Sequence, residues 1–448
     1  MALQNKHVVI IGNGIAGVTC ARHIRKRSDA KITIISGETD HFFSRTALMY
    51  IYMGHMKYEH TKPYEDWFWE KNSIDLKRAW VKELKSESKQ LVFTDGSTLH
   101  YDQLVIATGS KPNKFCWPGQ NLKGVQGLYS YQDLELLEAN THPPKSSKKT
   151  VQRAVIVGGG LIGVELAEML LTRNIEITFL VRENRFWGNV LPEQEGKLIA
   201  DHMKKHHVDL RFETELKEII GDENGRVKAV ITSKGETIDC QLVGLTAGVS
   251  PNVDFLKSSA LNINRGVLVN EFLETNLPDV FAIGDCTEFE NPPVGAKKFN
   301  QLWYTGRMMG ETLAQTLTEN KTAYQPGPWF NSAKFFDIEY QTYGEVSAQS
   351  TQEIQSFYWQ NGERAIHIQF DKDSKQFLGI NTFGIRMRHE CFDTWLKANV
   401  SVTEVLKGLR KANFDPEFHR AYEAEIVDQW NQQFPDLRVQ IKKRFLVF

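Results

Sequence analysis

The sequence predicts an α/β chain built around two parallel-sheet units of one kind, followed by a small α+β region. Two glycine fingerprints carry that prediction. Gly12-Asn13-Gly14-Ile15-Ala16-Gly17 follows the apolar run His7 to Ile11, and Gly158-Gly159-Gly160-Leu161-Ile162-Gly163 follows Ala154 to Val157. A buried strand running through G-x-G-x-x-G into a helix lets the backbone approach a pyrophosphate, whose charge meets unpaired N–H groups at the helix start. A single match of this kind is weak, because short glycine patterns arise by chance. Two matches in strand-turn-helix context predict two Rossmann-like dinucleotide-binding domains. Two dinucleotides on one chain imply electrons passing between them.

Composition narrows the class. At 448 residues the chain suits two to four domains, and 41% hydrophobic with 24% charged residues is ordinary for a water-soluble fold. A formal charge of −1 gives no general attraction to nucleic acid or an anionic membrane. Five scattered cysteines form no C-x-x-C pair, so a redox dithiol and an iron–sulfur site are disfavoured. The first strand begins almost at once, leaving no room for a signal peptide, and no apolar run reaches transmembrane length. A cytoplasmic setting is therefore expected. His206-His207 and His389 show no ligand spacing, and no metal site is expected.

The first unit reads strand, turn, helix (Ile15 to Arg27) and strand (Lys31 to Ser36). Glu38 stands about 20 residues beyond Gly17, the distance at which an acid reaches ribose hydroxyls; the bland alternative is a surface-turn glutamate. Thr94-Asp95-Gly96-Ser97 joins Gln90–Phe93 to Thr98–Tyr101 as a hairpin. Next, an apolar strand ends in Ala107-Thr108-Gly109. Residues 138–152, with Pro143-Pro144 and Ser146-Ser147-Lys148-Lys149, read as a solvated linker or loop. The second unit starts at Val151 and closes in β-like segments from Val227 to Leu245. A later buried strand ends in Gly284-Asp285, placing a carboxylate where a polyol could use it; the alternative is an N-cap for a following helix. Aromatics crowd the stretch from Tyr324 to Phe383, and a charged helical tail runs from about His389.

Taken together, these elements resemble the FAD-dependent pyridine nucleotide oxidoreductases, over roughly residues 7 to 310 and in that family's order. The resemblance implies that Gly12, Gly14 and Gly17 bind the FAD pyrophosphate, that Glu38 binds its ribose, and that Asp285 bonds its ribityl chain or pyrophosphate, with Thr108, Gly109, Gly248 and Gly284 shaping the site. Gly158, Gly160 and Gly163 would bind NAD(P)H. The FAD-binding domain would be discontinuous, at 1–118 and 248–323, around an NAD(P)H-binding domain at 119–247. A C-terminal interface domain (324–400) and a helical tail (401–448) would follow.

Within the family, Phe43-Ser44-Arg45-Thr46-Ala47-Leu48 has no cysteine and is similar to the aromatic-x-Arg-x-x-Leu segment of ferredoxin, rubredoxin and nitrite reductase-type members. Arg45 and Glu165 are then the implied catalytic groups. Those relatives usually carry a flavin-side lysine where this chain has Tyr50, which departs from the pattern and leaves Glu165 without its usual partner. After the strand Ile177–Leu180, Arg182 and Arg185 suit a 2′-phosphate and favour NADPH; alternatively the loop is solvated and Glu183 contacts NADH. The implied function is an NAD(P)H oxidoreductase passing hydride to FAD and electrons to a small electron-transfer protein or small-molecule acceptor. A peripheral quinone reductase, and a redox-sensing interaction protein resembling apoptosis-inducing factor, stand as alternatives. The tail is assigned to homodimerisation or partner docking.

Overall fold

A computed structural model describes residues 3, 5–142, 151–349, 351–414 and 420–441. The Pro143-Pro144 and Ser146–Lys149 part of the expected linker, and the basic-aromatic end Lys442–Phe448, lie outside the described residues. The chain forms two compact units: residues 1–158, 166–177 and 215–326 in the first, and 159–165, 178–214 and 327–448 in the second.

In the first unit, five parallel strands form one sheet in the order Val280–Ala282, Gln103–Ile106, His7–Ile11, Lys31–Ser36, Ile74–Arg78. Val8, Val9, Ile10, Ile32, Leu104, Val105, Ile106 and Ala282 are wholly buried, as expected of a parallel sheet covered on both faces. The chain thus returns to its first sheet after a long excursion. The helix Ile15–Arg25 leaves the first fingerprint and packs against Trp303–Thr318. Gly310 permits this close crossing, since a Cβ there would stand 2.5 Å from the Ala16 carbonyl oxygen. The expected hairpin pairs Gln90–Phe93 with Thr98–His100, and Val81–Lys85 adds a third antiparallel strand. Elsewhere in the unit, Arg153–Val157, Leu242–Leu245 and Val125–Gln126 pair in parallel. Two short strands, Ser110–Pro112 and Val249–Pro251, pair antiparallel.

The second unit contains the parallel pairing of Thr178–Leu180 with Asp209–Arg211, and the helix Glu193–Lys205. Its main element is a five-stranded antiparallel sheet in the order Phe330–Phe335, Ile338–Gly344, Phe377–Phe383, Arg364–Asp371, Ile354–Asn361. The helices His389–Lys397, Val402–Ala412 and Glu423–Gln433 share one core with that sheet. Val402, Val405, Leu406 and Leu409 recur at three- and four-residue steps, so one helix face is apolar and buried. Trp430 is wholly buried, with ring centroids 5.3 Å from Phe357 and 5.4 Å from Phe370. The apolar faces of the described tail are therefore used within its own unit. Most of the aromatic cluster is plain core: Phe335, Phe336, Tyr340 and Tyr343 are all buried.

Candidate dinucleotide sites

Close backbone packing excludes side chains at two glycines of the first fingerprint. Gly12 has φ +116°, and a Cβ on it would lie 2.1 Å from the Ala107 carbonyl oxygen. A Cβ on Gly17 would lie 2.1 Å from the Gly12 carbonyl oxygen, so the helix start presses directly on the turn. Gly14 differs: nothing lies within 4 Å of where its Cβ would be. It is also the N-cap of Ile15–Arg25 and makes no side-chain cap, so the first N–H groups of that helix face open space. That combination fits a pyrophosphate. Asn13 is buried and donates through Nδ2 to the Thr39 carbonyl at 2.9 Å, tying the turn to the loop that carries Glu38.

Glu38 is held in a built constellation. Arg45 grips it with a two-pronged fork, Nη1 to Oε1 at 2.8 Å and Nη2 to Oε2 at 2.6 Å. The Tyr131 backbone N–H donates to Oε1 at 2.9 Å. Arg45 Nη1 also donates to the Tyr129 carbonyl at 2.6 Å, and the guanidinium lies 4.6 Å over the Tyr129 ring. Burial works against the Arg45 charge, but the bonds to Glu38 outweigh it and hold its pKa above the ordinary value. Oε1 already accepts two bonds, so the lone-pair capacity left for a diol is at Oε2.

Asp285 caps no helix. It lies inside the short 3-10 turn Gly284–Cys286, and a strand, Thr287–Phe289, follows. Its Oδ2 accepts from Ser110 Oγ at 3.2 Å and from the Tyr129 hydroxyl at 3.5 Å. Gln301 in turn donates to Ser110 Oγ at 2.9 Å. Burial pushes the Asp285 carboxyl above its usual range, against the opposing pull of Ser110 and Arg45. A half-buried carboxylate with acceptor capacity to spare suits the hydroxyls of a ribityl chain. Gly284, at φ +76°, makes the turn that delivers it. Gly109 and Gly248 also hold positive φ, +69° and +83°, on the backbone leading into the short pair Ser110–Pro112 and Val249–Pro251. Thr108 Oγ1 bonds the Asn252 carbonyl at 2.8 Å. Sequence reasoning missed Asn13, Ser110 and Tyr129. Asn13 stood in view as a variable fingerprint position, whereas Ser110 and Tyr129 carry no local signal.

The second fingerprint repeats the first at its first two motif glycines. Gly158 has φ +118°, and its Cβ would lie 2.6 Å from the Thr246 carbonyl oxygen; Gly160 again has nothing within 4 Å. The Gly163 N–H donates to the Gly160 carbonyl at 3.2 Å, opening the helix Leu161–Leu171 in which Glu165 lies half-buried. In the second unit the two arginines part company. Arg182 is largely exposed, with Nη2 3.1 Å from Glu183 Oε1. Arg185 is half-buried and donates to the carbonyls of Gly188 (2.6 Å) and Ala348 (3.2 Å). Tyr50, on Leu48–Tyr52, stacks on His55 at 6.0 Å.

All five cysteines are thiols. Cys286, beside Asp285, is buried with Sγ 3.3 Å from the Ile283 carbonyl, and burial pushes its thiol up to about 11. Burial raises Cys240 to about 12 and Cys20 further still. A thiolate nucleophile at either fingerprint is not provided for.

Residues 6–310 match the family of pyridine nucleotide-disulphide oxidoreductases. The chain belongs to that family, whose members are oxidoreductases. It is 29% identical over 291 residues to the nitrite reductase [NAD(P)H] of Bacillus subtilis, an alignment covering 64% of this chain and 35% of that protein. It is also 29% identical over 290 residues to the rubredoxin-NAD(+) reductase of Acinetobacter baylyi, covering 63% and 72%. The chain thus spans about a third of the nitrite reductase and nearly three quarters of the rubredoxin reductase. Its fold is that of a ferredoxin reductase from Rhodopseudomonas palustris, with TM-score 0.77 and 20% identity over 95% of this chain and 100% of that one. No helix among the described residues is long and apolar enough to cross a membrane.

Proposed function

We propose that this chain is an FAD-dependent NAD(P)H reductase that delivers electrons to a small electron-transfer protein. The observation that carries this reading is the pairing of an open Gly14 cradle with a half-buried Asp285, repeated in part by Gly158 and Gly160 at a second fingerprint. FAD, when bound, supplies a two-electron acceptor able to release its electrons singly. Gly12, Gly14 and Gly17 hold the pyrophosphate against the helix start, Glu38 takes the ribose diol, and Asp285 takes the ribityl hydroxyls. Arg45 is a positioning residue that sets the Glu38 carboxylate by its fork. Gly158, Gly160 and Gly163 hold the nicotinamide dinucleotide, and Glu165 is the implied acid on the helix that follows them. Arg182 supplies the charge that favours NADPH over NADH. Raised thiol pKa values among the buried cysteines, and no cysteine in residues 41–50, support a route without sulfur. The ferredoxin- and rubredoxin-directed names among the relatives support a protein acceptor.

The test is anaerobic reduction by NADPH and NADH, followed by steady-state assays with ferredoxin, rubredoxin, a soluble quinone and a disulfide. Fast turnover with one of the carrier proteins is the expected result. Fast turnover with quinone alone selects the quinone reductase. A reduced protein that persists with every acceptor selects the redox sensor.

A further inference from the structure

Away from both fingerprints, the second unit gathers two histidines and a carboxylate. His202 and His206 lie one turn apart at the end of the helix Glu193–Lys205, so both rings leave one helix face. Against them stands the two-residue turn Phe336-Asp337, between the antiparallel strands Phe330–Phe335 and Ile338–Gly344. Asp337 Oδ1 lies 2.6 Å from His202 Nε2 and 3.4 Å from His206 Nε2. One donor atom from each of the three residues falls within 4.8 Å of the other two. Donors around a tetrahedral zinc ion, at about 2.0–2.1 Å from the metal, stand about 3.3 Å apart. Seating an ion therefore asks for shifts of roughly an ångström or so. Asp337 can supply much of that, because its side chain is 68% exposed on a turn.

The surroundings favour an ion over a simple hydrogen bond. His202 is buried, and its other nitrogen, Nδ1, lies 3.3 Å from Glu363 Oε1 without the alignment of a good hydrogen bond. With a metal on Nε2 the ring carries its proton on Nδ1, and a small rotation would turn it toward Glu363, the kind of partner that orients histidine ligands in metal sites. Lys205 Nζ, 3.0 Å from Glu363, balances that second carboxylate. His206 is held as well: the Phe336 ring stacks on it at 4.5 Å and 12°. Phe336 has φ +57°, a left-handed conformation that bulky residues rarely adopt, and this sets Asp337 in place.

We propose that His202, His206 and Asp337 form a site for a divalent first-row transition metal, zinc being the best match, which clamps the helix to the hairpin turn. Two imidazoles and one carboxylate suit such ions, and water completes the fourth position. The test uses the flavin-loaded, tag-free protein, stripped with a chelator and titrated with zinc against a chromogenic chelator. One zinc per chain with micromolar or tighter affinity is expected, together with a rise in Tm. His206→Ala and Asp337→Ala should each weaken binding at least about tenfold and erase the Tm rise. Both positions are accessible to solvent, and flavin content with circular dichroism establishes that the variants fold. His142→Ala, at an exposed histidine in the other unit, should change nothing. Less than one site per chain at 100 µM zinc (~100-fold above a micromolar Kd), or binding unaltered in both site variants, overturns the proposal.

Discussion

Glu38 and Asp285 are both carboxylates facing one candidate cofactor site, yet they are held in opposite ways. Glu38 has a cation fixed to it, whereas Asp285 has neutral donors and burial that pushes its pKa upward. The folded protein therefore binds a proton at Asp285 more readily than the unfolded chain does. Stability from this group is present at acid pH and is lost as pH rises through the interval between the ordinary carboxylate value and the raised one. Asp285→Asn should accordingly raise the Tm of the flavin-free protein at pH 7, and the gain should shrink as pH falls toward 4. The same variant should lose FAD affinity, read by fluorescence quenching. A Tm gain that is equal at both pH values would contradict the burial argument.

The two arginines divide similarly. On the proposed 2′-phosphate role, Arg182 supplies one charge-assisted contact of about 1.5–3 kcal/mol, so Arg182→Ala should raise the Kd for NADPH roughly tenfold or more with little change for NADH. Arg185→Ala should instead lower the Tm, because its guanidinium serves the carbonyls of Gly188 and Ala348. Equal effects of Arg182→Ala on both coenzymes would remove it from the 2′-phosphate role. The sequence showed the two arginines as equals, since nothing local marks which one folds inward.

At the scale of elements, each fingerprint combines two glycine requirements of different kinds. Gly12 is a packing requirement, because any Cβ meets the Ala107 carbonyl and the φ of +116° is strained for other residues. Gly14 is an approach requirement, with open space on the protein side. Gly12→Ala should thus destabilise the first unit itself, seen as a lower urea midpoint. Gly14→Val should keep a native circular dichroism spectrum and lose bound flavin. If Gly14→Val retains FAD, the pyrophosphate is placed elsewhere. The turns themselves were legible because strand, glycines and helix lie within a dozen residues. Ser110 and Tyr129 were not, because they meet Asp285 across 175 and 156 residues. The spacing His202-x-x-x-His206, which puts two rings on one helix face, was passed over in the sequence, where His206 was set beside His207 instead. Asp337, brought by a hairpin 135 residues away, was not legible there.

For the whole molecule, electron flow independent of sulfur makes a global prediction. A variant with all five cysteines replaced by alanine or serine should reduce its flavin and turn over its best acceptor at near-native rates. Collapse of turnover with flavin reduction intact would show a thiol carrying electrons onward. The family was legible over its dinucleotide-binding stretch, where chemistry dictates residues. The C-terminal region was legible as aromatic β-structure followed by helices from about His389, but which side chains meet in its core was not, because packing accepts many apolar residues in one place.

The return of Val280–Ala282 to the first sheet also sets an order of events during synthesis. Until that segment leaves the ribosome, the strand Gln103–Ile106 has an unpaired edge, and neither Asp285 nor the helix Trp303–Thr318 has arrived. An unpaired edge with Leu104, Val105 and Ile106 along it invites association with other chains. A nascent chain halted before residue 280 should therefore be unable to capture flavin and should be prone to aggregate, whereas one released beyond residue 318 acquires both together. Cofactor uptake in this protein is then a late checkpoint on a half-made chain, enforced by topology before any redox chemistry begins.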